Sequence, residues 1–189
     1  AITAVAVPLA GLLVVAGRAS SGHEPAAAID PCEELLGALD ESWNPARDEA
    51  LVRAFEATAL PFAAASADAA RASLGQWSST WLAERQQLCR ATVGAEAPAE
   101  VLGLRGACLE EQRVRFDATV AVLLEADAQA VTRALDSLAH LPAPATCRDD
   151  RLLLLGVQPP PADQAVAVAE LRRTLARSQA ERLAGHPAV

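Results

Sequence analysis

The most regular pattern of apolar positions lies in the middle of the chain, over about residues 99–126. Leucine or phenylalanine recurs there every seven residues, with a valine beside the row: Leu102, Leu109, Phe116, Leu123 and Val120. This spacing places the side chains on one face of an α-helix and leaves polar residues on the other faces. The pattern predicts a helix that packs against an antiparallel neighbour.

A second row of apolar residues predicts that neighbour. Pro61 begins a segment that continues to about Val93, in which large side chains recur at helical spacing: Leu74, Trp77, Trp81 and Leu88. Glycine and proline bound the stretch Gly94–Pro98, which predicts the turn between the two long helices.

Shorter helices are predicted before this hairpin. One covers the stretch PCEELLGAL from Pro31, with Asp30 as its N-cap. Another begins at Pro45, after the N-cap Asn44, because proline suits the first position of a helix. The buried stripe of this second helix is predicted to be Leu51, Val52, Phe55 and Ala59.

Two more helices are predicted after the hairpin. Asp127 caps one whose inward-facing residues are Val131, Leu135 and Leu138, and the last covers about 163–184 and ends at Gly185. Apolar residues make up 52% of the chain but aromatic ones only 3%, so alanine, leucine and valine must form most of the core. No alternating run long enough for a β-strand occurs. The sequence predicts an all-α fold, an antiparallel helical bundle.

The ends of the chain differ from this bundle, which we place at 31–156. Residues 1–17 carry no charge, and as a helix they would span roughly 25 Å of a bilayer core of about 30 Å. We expect a transmembrane helix, cut short at its start; a signal-peptide core and a buried soluble helix are the alternatives. The polar composition of residues 18–30 predicts a linker. The proline-rich segment 157–163 predicts a stiff linker before the last helix.

The charge of the chain argues against one class of partner. The formal net charge is −8, and no arginine cluster exceeds the pair Arg172–Arg173. Because binding to phosphate backbones needs a basic face, no nucleic acid partner is expected.

Four dispersed cysteines follow the apolar segment: Cys32, Cys89, Cys108 and Cys147. An even number without a CxxC pair favours disulfides and an oxidising, extracytoplasmic compartment. In an antiparallel hairpin, residues equally far from the turn lie at one level. The first two cysteines lie 29 and 28 residues from the turn near Pro61, and the last two lie 19 and 20 residues from the turn near Asp127. The spacing predicts Cys32–Cys89 and Cys108–Cys147, whereas Cys89–Cys108 is mismatched by roughly 7 Å of rise.

These bonds bear on possible chemistry at Cys108. Arg105 lies one helical turn before it, where a guanidinium can stabilise a thiolate. The predicted bond to Cys147 removes that role, and we expect Arg105 to pair with a carboxylate on an adjacent helix. A Cys–His nucleophile or a metal site would need His23, His140 or His186. These lie in the predicted linker, at a predicted helix end and near the end of the chain, so no catalytic, metal or cofactor site is expected.

The tryptophans allow two interpretations. Trp43, Trp77 and Trp81 are expected to anchor an alanine-rich core. The alternative is that they line a ligand pocket in which Arg85 or Arg105 holds an anion.

Spaced motifs in this order resemble a known family. They are CxxL from Cys32, Trp43, AFxAT over 54–58, WxxxRxxxCxAT over 81–92, LRxxCL over 104–109 and LP…CxD over 141–149. The arrangement resembles the segment after the transmembrane helix in bacterial, especially myxobacterial-type, serine/threonine protein kinases. In that family a cytoplasmic kinase domain precedes the helix, and tetratricopeptide repeats follow the segment. The closing RLAGHPAV resembles the junction inside a first repeat, which implies a truncated repeat helix over 164–189.

The resemblance implies a non-catalytic sensory or relay segment of a membrane-anchored signalling protein. Residues after about 18 would be extracytoplasmic, with the membrane contacted through 1–17 and protein partners bound through downstream repeats. The chain itself has no kinase motif, so no catalytic residue is carried over. The alternative is a structural stalk or repeat-containing adaptor with no kinase attached.

Overall fold

The computed structural model describes residues 32–186, and every regular element in that range is helical. The α-helices are α1 (Pro45–Ala57), α2 (Ala63–Val93), α3 (Ala99–Leu124), α4 (Ala128–Ala139), α5 (Asp150–Leu155) and α6 (Ala165–Ala184). Short 3-10 helices, Glu34–Gly37 and Pro144–Arg148, precede α1 and α5. The prediction of an all-α fold is confirmed for this range.

The predicted membrane segment 1–17, the linker 18–30 and the N-cap Asp30 lie outside the described residues. Within 32–186, no helix combines the length and the apolar character that crossing a bilayer requires.

Local sequence signals set the ends of several helices. Asn44 Oδ1 accepts a hydrogen bond from the amide of Arg47 at 3.0 Å, and Asp127 Oδ1 accepts one from the amide of Ala130 at 2.8 Å. Both side chains satisfy amides that a helix start leaves without partners, as predicted. Helix α6 ends at Gly185, which has a φ of 98° that glycine adopts without a Cβ clash.

Helices α2 and α3 form the antiparallel hairpin predicted by the two apolar rows. All the large residues of both rows are buried: Leu74, Trp77, Trp81, Leu88, Leu102, Leu109, Phe116, Val120 and Leu123. Helix α1 adds Leu51 and Phe55, and α4 adds Val131 and Leu138. We call this set, with the two disulfides described below, the cross-linked core.

Three details of the helix predictions are wrong. Ala59 is exposed because α1 ends at Ala57 and the chain has turned away, with a φ of 55° at Ala59. Leu135 is 48% exposed because the buried stripe of α4 follows its neighbour Ala134, about 100° away around the helix axis. The stretch after Pro31 forms only the 3-10 helix Glu34–Gly37 instead of a longer helix.

Helix α6 packs against α3 and α4. The contact is made almost entirely by small side chains, which we call the alanine interface: Ala118, Val122, Ala130, Ala176, Ala180 and Ala184. The helical part of segment 164–189 thus lies on the bundle, where alanines spaced four apart let two helices approach closely.

Candidate functional site

Two disulfides join distant parts of the described chain. Cys32 bonds to Cys89 near the end of α2, with 5.7 Å between the Cα atoms, and Cys108 of α3 bonds to Cys147, with 5.6 Å between them. Both distances lie within the usual range of about 4.4–6.8 Å. These are the pairs that equal distance from a turn predicts. Cys108 is therefore a disulfide cysteine and not a free thiol.

Polar contacts surround the second disulfide. Gln112, which is 5% exposed, donates from Nε2 to Thr146 Oγ1 at 3.1 Å, next to the buried Cys147. On the other side, Arg148 Nε lies 3.1 Å from Oε2 of the buried Glu84. These contacts attach the 3-10 helix before α5 to both long helices, in addition to the covalent bond.

Arg105 pairs with a carboxylate of a neighbouring helix. Its Nε and Nη2 donate to the two oxygens of Asp150 at 2.7 and 2.8 Å, so the pair is bidentate. The hydrogen bonds from Arg105 lower the pKa of Asp150 below its ordinary value. Arg105 thus joins α3 to the start of α5, and its guanidinium is already engaged.

The tryptophans belong to the core. Trp77 stacks on Phe116 with 4.3 Å between ring centroids, and its Nε1 donates to the carbonyl of Pro142 at 2.9 Å. Trp81 is 3% exposed and donates to the carbonyl of Leu109 at 2.8 Å. Trp43 is half-buried and packs against the same core. Because both buried indole N–H groups bond to carbonyls, neither is left to hold a ligand.

An apolar cleft of about 690 Å³ opens where α2 ends and α3 begins. Its wall contains Leu35 of the 3-10 helix, Cys89 of the first disulfide, and residues of both long helices, among them Leu88, Val93 and Leu102. None of the tryptophans lines this cleft. We call it the hairpin cleft.

Arg85 is the charged residue among those that line the hairpin cleft. It makes no ion pair with the described residues, unlike Arg105, Arg113 and Arg177. Two glycines of α3, Gly103 and Gly106, line the cleft opposite α2. A Cβ on Gly106 would lie 3.8 Å from Nη1 of Arg85, so the guanidinium lies close against the helix at that glycine.

The alternative interpretation of the tryptophans places Arg85 in a pocket with them. The structure instead places Arg85 in the hairpin cleft, with Nη1 3.8 Å from the position of a Cβ on Gly106. The available signal was the pair of glycines three residues apart in a predicted helix, since glycine in a helix interior costs about 1 kcal/mol relative to alanine. Such a pair leaves one helix face without side chains.

A half-buried carboxylate was also missed. Burial raises the pKa of Asp117, and contacts with Ser42 and Arg113 oppose that rise. Its Oδ1 is buried without a hydrogen-bond partner in the described chain, while Oδ2 accepts from Arg113 at 2.9 Å.

The histidines do not form a site with the cysteines. His140 bonds through Nδ1 to the carbonyl of Asp136 at 2.8 Å, and His186 lies 3.4 Å from Oδ2 of Asp127. His23 lies outside the described residues. Over residues 32–186, no group of histidine, cysteine and acidic side chains could hold a metal ion.

The chain matches no known family model, no curated protein and no solved structure.

Proposed function

We propose that this chain is the non-catalytic, extracytoplasmic relay segment of a membrane-anchored signalling protein, similar in layout to a bacterial serine/threonine kinase with repeats. The observation that supports it best is the pairing of all four cysteines into two disulfides. Bonds of this kind persist in oxidising compartments and are rare in the cytoplasm.

The position of the first disulfide supports a relay role. Cys32 lies soon after the predicted membrane segment 1–17, and its bond attaches the chain there to the end of α2. A small shift of α2 would therefore be passed to the residues that precede the bundle. Helix shifts of about 1–2 Å are one way in which signals cross such bundles.

The compartment is tested in intact cells. Cells that express the full-length protein are treated with a mass-tagged maleimide, with and without prior reduction. We expect no modification of the four cysteines before reduction and four tags after it. Tagging without reduction would place the segment in a reducing compartment and contradict the proposal.

The relay is tested in the full-length protein, for which the proposal expects a kinase domain before this segment. Autophosphorylation in membranes is compared between wild-type protein and Ala180→Leu, which overpacks the alanine interface, with Ala167→Leu on the exposed face of α6 as the matched control. We expect an altered output for Ala180→Leu alone. An upstream sequence without a kinase domain would favour the stalk or adaptor instead.

A further inference from the structure

The hairpin cleft has the size and the lining of a ligand site. Its volume of about 690 Å³ falls within the range of roughly 300–1,000 Å³ that is usual for small-molecule pockets. Aliphatic and small side chains dominate its wall. The hydroxyl of Thr92 donates to the carbonyl of Leu88 at 2.8 Å, so it is already engaged.

Gly103 is the reason that the cleft is open on the α3 side. A Cβ at this position would meet nothing within 4 Å, so a side chain there would extend into unfilled space. The opposite wall is fixed by Cys89, whose disulfide to Cys32 anchors the chain just before Leu35. The disulfide therefore fixes the wall that α2 and Leu35 form, opposite α3.

Arg85 supplies one positive charge to this apolar surface. A guanidinium binds a carboxylate through two parallel hydrogen bonds, and the interaction gains strength where water is partly excluded. Among the described residues, Arg85 is the only cation that lines the cleft. A single negative charge is thus matched, whereas a phosphate monoester would bring about two.

We propose that the hairpin cleft binds a single-chain amphiphile with one carboxylate, such as a medium-chain fatty acid. The carboxylate lies on Arg85, and the alkyl chain lies along Leu88, Leu102 and the open face at Gly103. The inference rests on the proposed function in one respect, since it names the class of ligand that the relay segment would sense. Binding itself does not depend on any relay.

The test uses the whole chain in lipid nanodiscs and a decanoate that carries a diazirine at its far end. After irradiation, trypsin cleaves after Arg90 and Arg105, so most of the α3 side of the cleft falls in one peptide, 91–105. We expect labelling of this peptide that excess decanoate competes away and decyltrimethylammonium does not.

Two variants and two controls decide the assignment. Gly103→Leu fills the open face and Arg85→Gln removes the charge, and each should lower labelling of peptide 91–105 by roughly tenfold or more. The matched controls are Gly75→Leu, in the middle of α2 with open space around its Cα, and Arg133→Gln, an exposed arginine of α4. Both controls should label like the wild type.

Several outcomes would overturn the proposal. They are labelling that excess decanoate does not reduce, labelling that is equal in Gly103→Leu, and equal competition by the cationic amphiphile. Stronger competition by decyl phosphate than by decanoate would contradict the carboxylate assignment. The proposed function and the proposed ligand site can be rejected independently. Thiol tagging in cells tests the compartment, whereas photolabelling tests binding in the hairpin cleft.

Discussion

The cross-linked core and the alanine interface hold helices together in different ways. The core joins α1, α2, α3 and α4 through large buried side chains and two disulfides. The alanine interface attaches α6 through alanine side chains and Val122, and neither disulfide includes a residue of α6. Because hydrophobic stabilisation follows the apolar area buried, the core contributes far more free energy per residue.

Polar contacts partly compensate at the alanine interface. Gln129 Nε2 donates to the carbonyl of Gly185 at 2.8 Å, and Arg177 Nη2 lies 3.0 Å from Oε2 of Glu125. These groups are largely exposed, where such contacts contribute little. We therefore expect α6 to separate from the bundle more readily than the core unfolds.

The largest effect is expected for Phe116→Ala in the core. Phe116 is fully buried and stacks on Trp77, so truncation leaves a cavity and should lower the free energy of unfolding by about 3–5 kcal/mol. Urea denaturation followed by circular dichroism measures it. The control Phe62→Ala removes a ring that is 43% exposed, and a loss as large as that of Phe116→Ala would contradict the comparison.

Removal of the second disulfide should come next. The double variant Cys108→Ala, Cys147→Ala opens a loop of 39 residues and should lower the free energy of unfolding by about 2–4 kcal/mol. Differential scanning calorimetry of the unreduced protein gives the change. An unchanged midpoint temperature would mean that Gln112 and Glu84 hold the segment without the bond.

A smaller and local effect is expected at the alanine interface. Ala180→Leu introduces a bulky group at a 5% exposed site and should weaken the docking of α6 by about 1–3 kcal/mol. Hydrogen exchange should rise in α6 and stay unchanged in α2. Ala167→Leu, on the exposed side of α6, serves as the control. Faster exchange in α2 as well would show that the two regions unfold together.

The smallest effects are expected on the pH dependence of the free energy of unfolding, to which two carboxylates, Asp117 and Asp127, contribute with opposite sign. The pKa of Asp117 is raised by burial, so its contribution to stability falls as pH rises from about 4 through the folded value. The pKa of Asp127 is lowered, chiefly by the hydrogen bond from the amide of Ala130, so its contribution is lost as pH falls through the folded value.

Asparagine variants separate these two contributions. The free energy of unfolding should rise more between about pH 4 and pH 6 in Asp117→Asn than in the wild type. The reason is that the substitution removes the contribution of Asp117, which falls as pH rises. Asp127→Asn keeps a good N-cap but should make the protein less sensitive to acid below about pH 4. Denaturation at a series of pH values measures both. Shifts of the same sign for the two variants would contradict the assignment.

The sequence predicts the core well for physical reasons. Large apolar residues such as Phe116 and Trp81 occupy the regular positions of two helices, so burial and helix spacing agree. The caps Asn44 and Asp127 act on amides three residues away. The disulfides follow from helix geometry, since antiparallel pairing fixes which residues share a level.

The docking of α6 could not be predicted in this way. Three of its five large apolar residues, Val166, Leu171 and Leu175, are 79%, 63% and 62% exposed, whereas its buried residues are alanines. The hydrophobic pattern alone therefore indicates the wrong face of α6 as the one that packs on the bundle. The hairpin cleft could not be predicted either, because it depends on how Arg85 of α2 and Gly106 of α3 come together across two helices.

The disulfides also decide how the molecule would respond to mechanical load. Tension applied before Cys32 passes through its sulfur to Cys89, so the 3-10 helix and α1 lie in a loop that carries no force. The two loops span 57 and 39 residues and would withhold about 200 Å and about 140 Å of contour length until reduced, at roughly 3.5 Å per residue. A pull applied from the N-terminal side of Cys32 is thus delivered to the end of α2, next to the hairpin cleft.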